Sequence, residues 1–424
     1  MTWLQRHRLA SFFRDSVWLP PLIGMIIALF ARPVVQDIDA MLGWKAAVGP
    51  DGARAVLGIL VSALLTFIVF VFSILLLIVQ IASAQLSPRI IVAIYRSRVV
   101  RGSLALFVFT FTYTLAALAR IENSVPQVSM WLAVYSSIAS IAVFLYMIDH
   151  VGKALRPVSV LSGIGSRGQK VIEDVYPQLV GAESDEPTNL ALAVDGKPSR
   201  VVESDRTGVV LALDVSGLAE LARRADCLIE FVPRVGEFVT NGDPLFRLFH
   251  IYGGAEAISD RELQHAAAIG AERTFEQDPA FAFRIVVDIA AKALSPAIND
   301  PTTGVLALDQ IHRLLRAVAC RKLDSGRVHD SAGKLRLSYR TPDWEDFVVL
   351  AVTEIRQFGR ESIQIVRRMR AMLQNLIETV PPQRAALLRT ELDLIGRGVE
   401  VDFRDAEDRV RAGAGDSLGV GGSG

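Results

Sequence analysis

The 424-residue sequence predicts an α-helical membrane protein with four transmembrane helices and a large α+β region behind them. Three observations predict it. Four apolar stretches lacking Asp, Glu, Lys and Arg occupy the first third of the chain. Between 201 and 249 the apolar pattern shortens to strand-like alternation. From Ser259 onward, helix-start signals recur ahead of amphipathic runs.

The spans are expected at about 16–31, 55–80, 102–119 and 128–148, within a transmembrane domain of residues 1–156. The first (SVWLPPLIGMIIALFA) is short and carries Pro20-Pro21, which a first helical turn tolerates. Arg6, Arg8 and Arg14 precede it, as in a signal peptide. Without a clean small-x-small cleavage site, a retained helix is favoured. The second is uncharged from Arg54 to Arg89, well beyond the roughly 20 residues that cross a bilayer. It is expected to end at a membrane-exit turn carrying Gln85, Ser87 and Arg89, with Pro88 as the stop. Trp131 and Tyr146 bracket the fourth as interfacial anchors.

Dividing the chain exposes a charge asymmetry. Residues 1–148 hold 11 Lys/Arg against 5 Asp/Glu, and the remainder holds 34 against 40. With the N-terminus inside, inner flanks carry nine cationic residues and outer loops four. The positive-inside rule then places both termini and the large region in the cytoplasm. Two isolated cysteines, Cys227 and Cys320, fit a reducing compartment and show no metal spacing.

No charge lies in the middle of a span, which argues against a proton relay. The hydroxyls of Ser62, Thr66, Ser73, Thr110, Thr112, Thr114, Ser136, Ser137 and Ser140 remain. They suit helix packing, or a pore shared between several subunits.

A connector is expected over 157–200, with a helical pattern at Val171, Ile172, Val175 and Tyr176. In the module at 201–250, TGVVLALDV, CLIEFVP, GEFVT and PLFRLF read as strands and SGLAELARRAD as a helix. Gly236 and Gly242 flank a strand in the manner of biotinyl/lipoyl-like barrel-sandwich hairpins, which the module resembles. No hairpin lysine is present to carry a prosthetic arm, and no cofactor is expected.

The mainly helical domain is expected at 251–413. Ser259–Glu262 forms a capping box, and Asp278-Pro279, Asp300-Pro301 and Thr341-Pro342-Asp343 open further helices. KLRLSY reads as a strand, two long helices follow around 360–379 and 383–412, and 414–424 reads as a flexible tail.

The most specific string is Arg273-Thr-Phe-Glu276-Gln-Asp278-Pro279, then Arg284 and Asp288, then Leu294-Ser295-Pro296-Ala-Ile-Asn299-Asp300-Pro301. With the SAQLSPR turn and four preceding spans, the chain resembles the domain of unknown function 2254 family of predicted bacterial membrane proteins. The resemblance runs over nearly the full length. It implies a bacterial membrane location and supplies no activity.

Read physically, Ser295–Thr303 is a helix–turn–helix corner whose Asn299 and Asp300 cap amides. Alternatively, Glu276, Asp278, Arg284, Asp288, Ser295, Asn299 and Asp300 form a polar site. Carboxylates with an amide oxygen suit a hard cation, although Arg284 could neutralise them. No metal set or catalytic residue is assigned. HExxH, GxSxG and P-loop motifs are absent, and the six histidines are scattered. Asp309 with His312, and Glu262 with His265, read as solvated helix faces rather than half-sites for metal.

A homo-oligomeric channel with a cytoplasmic regulatory domain is the leading expectation. The alternatives are a membrane-anchored sensor or scaffold, and a membrane-bound enzyme using an acidic corner around Asp288 and Asp300. The expected partners are the bilayer and further copies of the chain. Charge too even for a nucleic-acid footprint excludes DNA and RNA, and no soluble partner is assigned.

Overall fold

The computed structural model describes residues 16, 18–42, 48–85, 97–121, 125–180, 197–249, 258–323 and 326–420. They are mostly helical, with a small sheet region, and divide into two compact units after Val160.

The first unit holds four helices long and apolar enough to cross a membrane: α1 (Leu19–Leu42), α2 (Pro50–Gln85), α3 (Arg98–Leu118) and α4 (Gln127–Ala154). The first expected span is longer than its apolar stretch. Helix α1 opens at Leu19, placing Pro20 and Pro21 in the first turn, where a missing N–H costs little. It then continues past Ala31 through Pro33. Helix α2, at 36 residues, is about 54 Å long at 1.5 Å per residue. Its last residue is Gln85. Ser87 and Arg89 of the expected exit turn lie outside the described residues.

Helix α3 packs against each of the other three. Gly24 permits one of these contacts, because a Cβ there would meet Ala105 O of α3 at 2.4 Å. One apolar cluster gathers Leu57, Tyr113, Met130 and Ala133, and another Val71, Leu104, Phe107 and Met147. Between α3 and α4, the fully buried Thr110 and Ser140 hydroxyls meet at 3.1 Å. Ser137 donates to Ala133 O at 2.7 Å. Asp39, near the end of α1, accepts from Val128 N (3.0 Å) and Ser129 N (3.3 Å). A residue of one helix thereby caps the N-terminus of another.

Helix α5 (Pro157–Val175) begins at proline just before the second unit, runs into it and takes up much of the expected connector. Next come β1 (Arg200–Glu203), β2 (Gly208–Leu213), α6 (Val215–Arg224), β3 (Leu228–Arg234), β4 (Phe238–Val239) and β5 (Pro244–Phe249). All but β1 match the strands and helix expected there. The sheets, however, draw on sequence beyond 250. A three-stranded sheet has order β4-β2-β6, where β6 is Ala267–Gly270. A five-stranded sheet has order β1-β5-β3-β8-β7, with β7 at Arg327–His329 and β8 at Leu335–Arg340.

Strand β3 pairs antiparallel with β5 (Ile229↔Leu248) and parallel with β8 (Ile229↔Leu337). Its alternate residues meet Phe246, Leu248, Leu337 and Leu218 in one apolar core. The β-region is therefore completed by chain from beyond 300, rather than closing on itself within 201–250.

The remaining helices are α7 (Asp260–His265), α8 (Pro279–Ala293), α9 (Pro301–Ala319), α10 (Trp344–Phe358), α11 (Ile363–Thr379), α12 (Pro382–Asp402) and α13 (Ala406–Gly413). The helix expected over 383–412 is two. Phe403 takes an extended conformation, and Asp405 caps a fresh start by accepting from Glu407 N. The tail is not free through its described length. Arg367 Nε donates to Ala414 O (3.2 Å), Gln364 Nε2 donates to Gly419 O (2.6 Å), and Asp416 is buried.

Candidate functional site

Helix α8 carries the polar string singled out in the sequence. Its fifteen residues separate the ends by about 20 Å, so the named side chains fall into three groups.

The first group sits at the N-terminus of α8. Asp278, 3% exposed, accepts from Phe281 N at 3.0 Å, as an N-cap does. Its other oxygen accepts from Arg273 Nε (2.9 Å) and Nη2 (2.6 Å), and the guanidinium lies over the Phe281 ring. Burial pushes the Asp278 carboxyl up, against the pull of Arg273. Gly236, in the hairpin after β3, approaches this pair. It adopts φ +89°, and a Cβ there would lie 2.5 Å from both Arg273 Nη2 and Asp278 Oδ2. The hairpin glycine read from the sequence thus serves a second purpose, admitting the ion pair beneath the turn. Glu276 stands half-buried nearby in sequence and engaged with other groups.

The second group spans α8 and α10. Arg284 Nε donates to Asp288 Oδ1 at 2.7 Å, one turn along. Its Nη1 and Nη2 donate to the two oxygens of Glu354 at 2.5 and 2.7 Å. The fork geometry matches carboxylate recognition. The Glu354 contact, with Asp288 behind it, holds the Arg284 guanidinium firmly protonated, and the Arg284 bond lowers the Glu354 carboxyl. Arginine therefore neutralises the acids that could have served a cation.

The third group is the corner after α8. Ser295 Oγ donates to Lys292 O at 2.7 Å, Asn299 N to Ser295 O at 2.9 Å and Asp300 N to Ala293 O at 2.7 Å. Asn299 adopts φ +49°, a region Asn enters more readily than most residues. Asp300 caps α9, accepting from Thr303 N (3.1 Å) and Thr303 Oγ1 (2.6 Å). Pro296, Ala297, Ile298 and Asn299 form an exposed apex.

Helix α9 also carries Asp309 and His312. Arg368 of α11 links them, with Nη2 2.7 Å from Asp309 and 3.5 Å from His312 Nδ1, while His312 Nε2 meets Asn375 Oδ1 at 2.9 Å. Burial lowers the His312 value. The pair is an interhelical contact rather than a solvated face. Among the described residues, no three His, Cys, Asp or Glu gather as a metal set. Sequence reasoning missed Glu354 and Arg368, which lie 70 and 59 residues from their partners with no local pattern to link them.

Four helices long and apolar enough to cross a membrane, joined in sequence to a mixed helical and sheet unit that carries the ion-paired α8, define a membrane protein. The chain belongs to the predicted membrane protein family DUF2254, whose model matches residues 14–375. An uncharacterized protein of Mycobacterium tuberculosis strain H37Rv is 27% identical, covering 96% of this chain and 80% of the relative. An uncharacterized protein of Mycobacterium bovis shows the same identity and coverage, and one from M. tuberculosis strain CDC 1551 is 26% identical with equal coverage. No solved structure matches.

Proposed function

We propose that the protein is a homo-oligomeric channel of the bacterial plasma membrane, with both termini and its second unit in the cytoplasm. The carrying observation is the unpartnered face of α2. This helix has the highest mean hydropathy of the four, 2.9, yet only 17% of its most apolar window is buried. Along that face Ala55, Gly58, Ser62 and Thr66 follow one another at helical spacing and line a groove of about 930 Å³. Small and hydroxyl residues let helix backbones approach closely in lipid. The buried hydroxyls of α3 and α4 are already bonded within one bundle, so a conducting path requires neighbouring copies. The nine-to-four cation asymmetry supports the orientation.

The enzyme reading draws less support. Asp288 is held by Arg284, and Asp300 is spent on capping α9.

Oligomeric state in mild detergent and ion flux from liposomes test the proposal. Multimers and flux above empty vesicles are expected, with Gly58→Leu weakening both. A strictly monomeric protein that conducts nothing sinks it.

A further inference from the structure

The geometry points to a binding cleft for a small amphiphilic anion among α10, α11 and α12, a site independent of the pore reading. The cleft has a volume of about 360 Å³, within the range of small-molecule sites. Its floor is apolar, built from Ile365, Met369 and Ile395, all buried. Its rim carries three arginines, Arg356, Arg360 and Arg397, against one lining carboxylate, Asp402.

Carboxylates approach two of the three arginines, but the pairing is loose. Arg356 Nε lies 3.3 Å from the buried Glu391 Oε2 without forming a hydrogen bond. Arg360 reaches Glu361 at 3.4 Å and Asp402 only at 3.8 Å. Arg397 is exposed and makes no hydrogen bond or ion pair among the described residues. Arg360 and Arg397 thus retain donors for an incoming anion, and an arginine fork suits a carboxylate or phosphate.

A second observation comes from the helix itself. Gly398 lies inside α12, where glycine disfavours helix. Packing does not require it: a Cβ there would meet only Asp402 Oδ2, at 3.7 Å. What the missing side chain does is leave space in the cleft wall, which Gly398 lines. An apolar floor, an open wall and a partly unpaired cationic rim together select a ligand with a short hydrocarbon body and one anionic head. A free carboxylate and an anionic lipid headgroup share that chemistry.

The experiment is hydrogen–deuterium exchange on the full-length protein in phosphatidylcholine nanodiscs, with octanoate and octanol as probes. Octanoate is expected to slow exchange across 356–369 and 394–402, at concentrations roughly tenfold below those octanol needs. Gly398→Leu, which fills the cleft without a backbone clash, is expected to abolish the protection and leave exchange elsewhere unchanged. Arg397→Gln, a surface change, is expected to weaken octanoate roughly tenfold and leave octanol alone. Placing phosphatidylglycerol in the disc separates the sources. Protection without octanoate assigns a lipid headgroup, and protection only on adding octanoate assigns a free anion. Equal action of octanol and octanoate, or protection that survives Gly398→Leu, overturns the inference.

Discussion

Replacing Arg273 by alanine tests the buried pair at the head of α8. The Asp278 side chain is 4% exposed and that of Arg273 29%. The substitution removes two charge-assisted hydrogen bonds and leaves a buried carboxylate with Phe281 N as its remaining donor. Breaking a buried ion pair from one side costs about 3–5 kcal/mol. Partial hydration of Arg273 in the intact protein places the expectation near the lower end, about 3 kcal/mol.

The pH dependence is the sharper part. Asp278 already has a raised folded-state value, so its neutral form favours the fold. Stability tied to such a group is fully present below the unfolded carboxylate range and is lost as pH rises through the folded value. Without Arg273 that value rises further, and acid protonates the stranded carboxyl. The penalty of Arg273→Ala should therefore shrink between pH 8 and pH 5, by about 1.4 kcal/mol for each unit of additional shift realised. Urea pulse proteolysis of the full-length protein in mild detergent, run at both pH values, measures this. Arg273→Ala/Asp278→Asn should be less damaging than the sum of its single changes. An identical penalty at both pH values, or one below about 1 kcal/mol, would refute the reasoning.

Three further outcomes are expected. Asp300→Ala should cost about 1 kcal/mol through loss of the α9 cap, and Asp300→Asn much less, read from urea midpoints. Glu354→Gln should be less stable than the parent at neutral pH. Because Arg284 lowers the Glu354 value, that advantage of the parent is present above the unfolded carboxylate range and is lost as pH falls through the folded value, which a pH series of midpoints would trace. Deleting residues after Gly413 should cost about 1–2 kcal/mol by removing the backbone contacts to Arg367 and Gln364, each worth about 1 kcal/mol.

The sequence made local events legible. Asp-Pro pairs announced α8 and α9 because capping and the proline restriction both act within one turn. Gly236 and Gly242 announced tight turns, and their φ values of +89° and +92° explain why glycine stands there. The four spans were legible because hydrocarbon solvation depends on composition more than on partners. Long-range pairing was not. The parallel alignment of Ile229 with Leu337 leaves no trace in either segment. The polar string failed to predict a single convergent site for a geometric reason: a helix of fifteen residues holds its ends apart. The tail, rich in glycine, looked unattached because the groups that hold it are its own backbone carbonyls and amides, which composition does not report.

The position of β8 beside β3 has a consequence for how the protein is made. The central strand of the larger sheet emerges from the ribosome more than 100 residues before its parallel neighbour. At roughly 5–20 residues per second, that is a wait of about 5–20 s. Throughout this interval one edge of β3 stands without its partner, while α8 and α9 are still being synthesised. A nascent chain with such an open edge invites mispairing. Translation speed across 271–326 should therefore influence the yield of correctly folded protein more than it would elsewhere in the second unit.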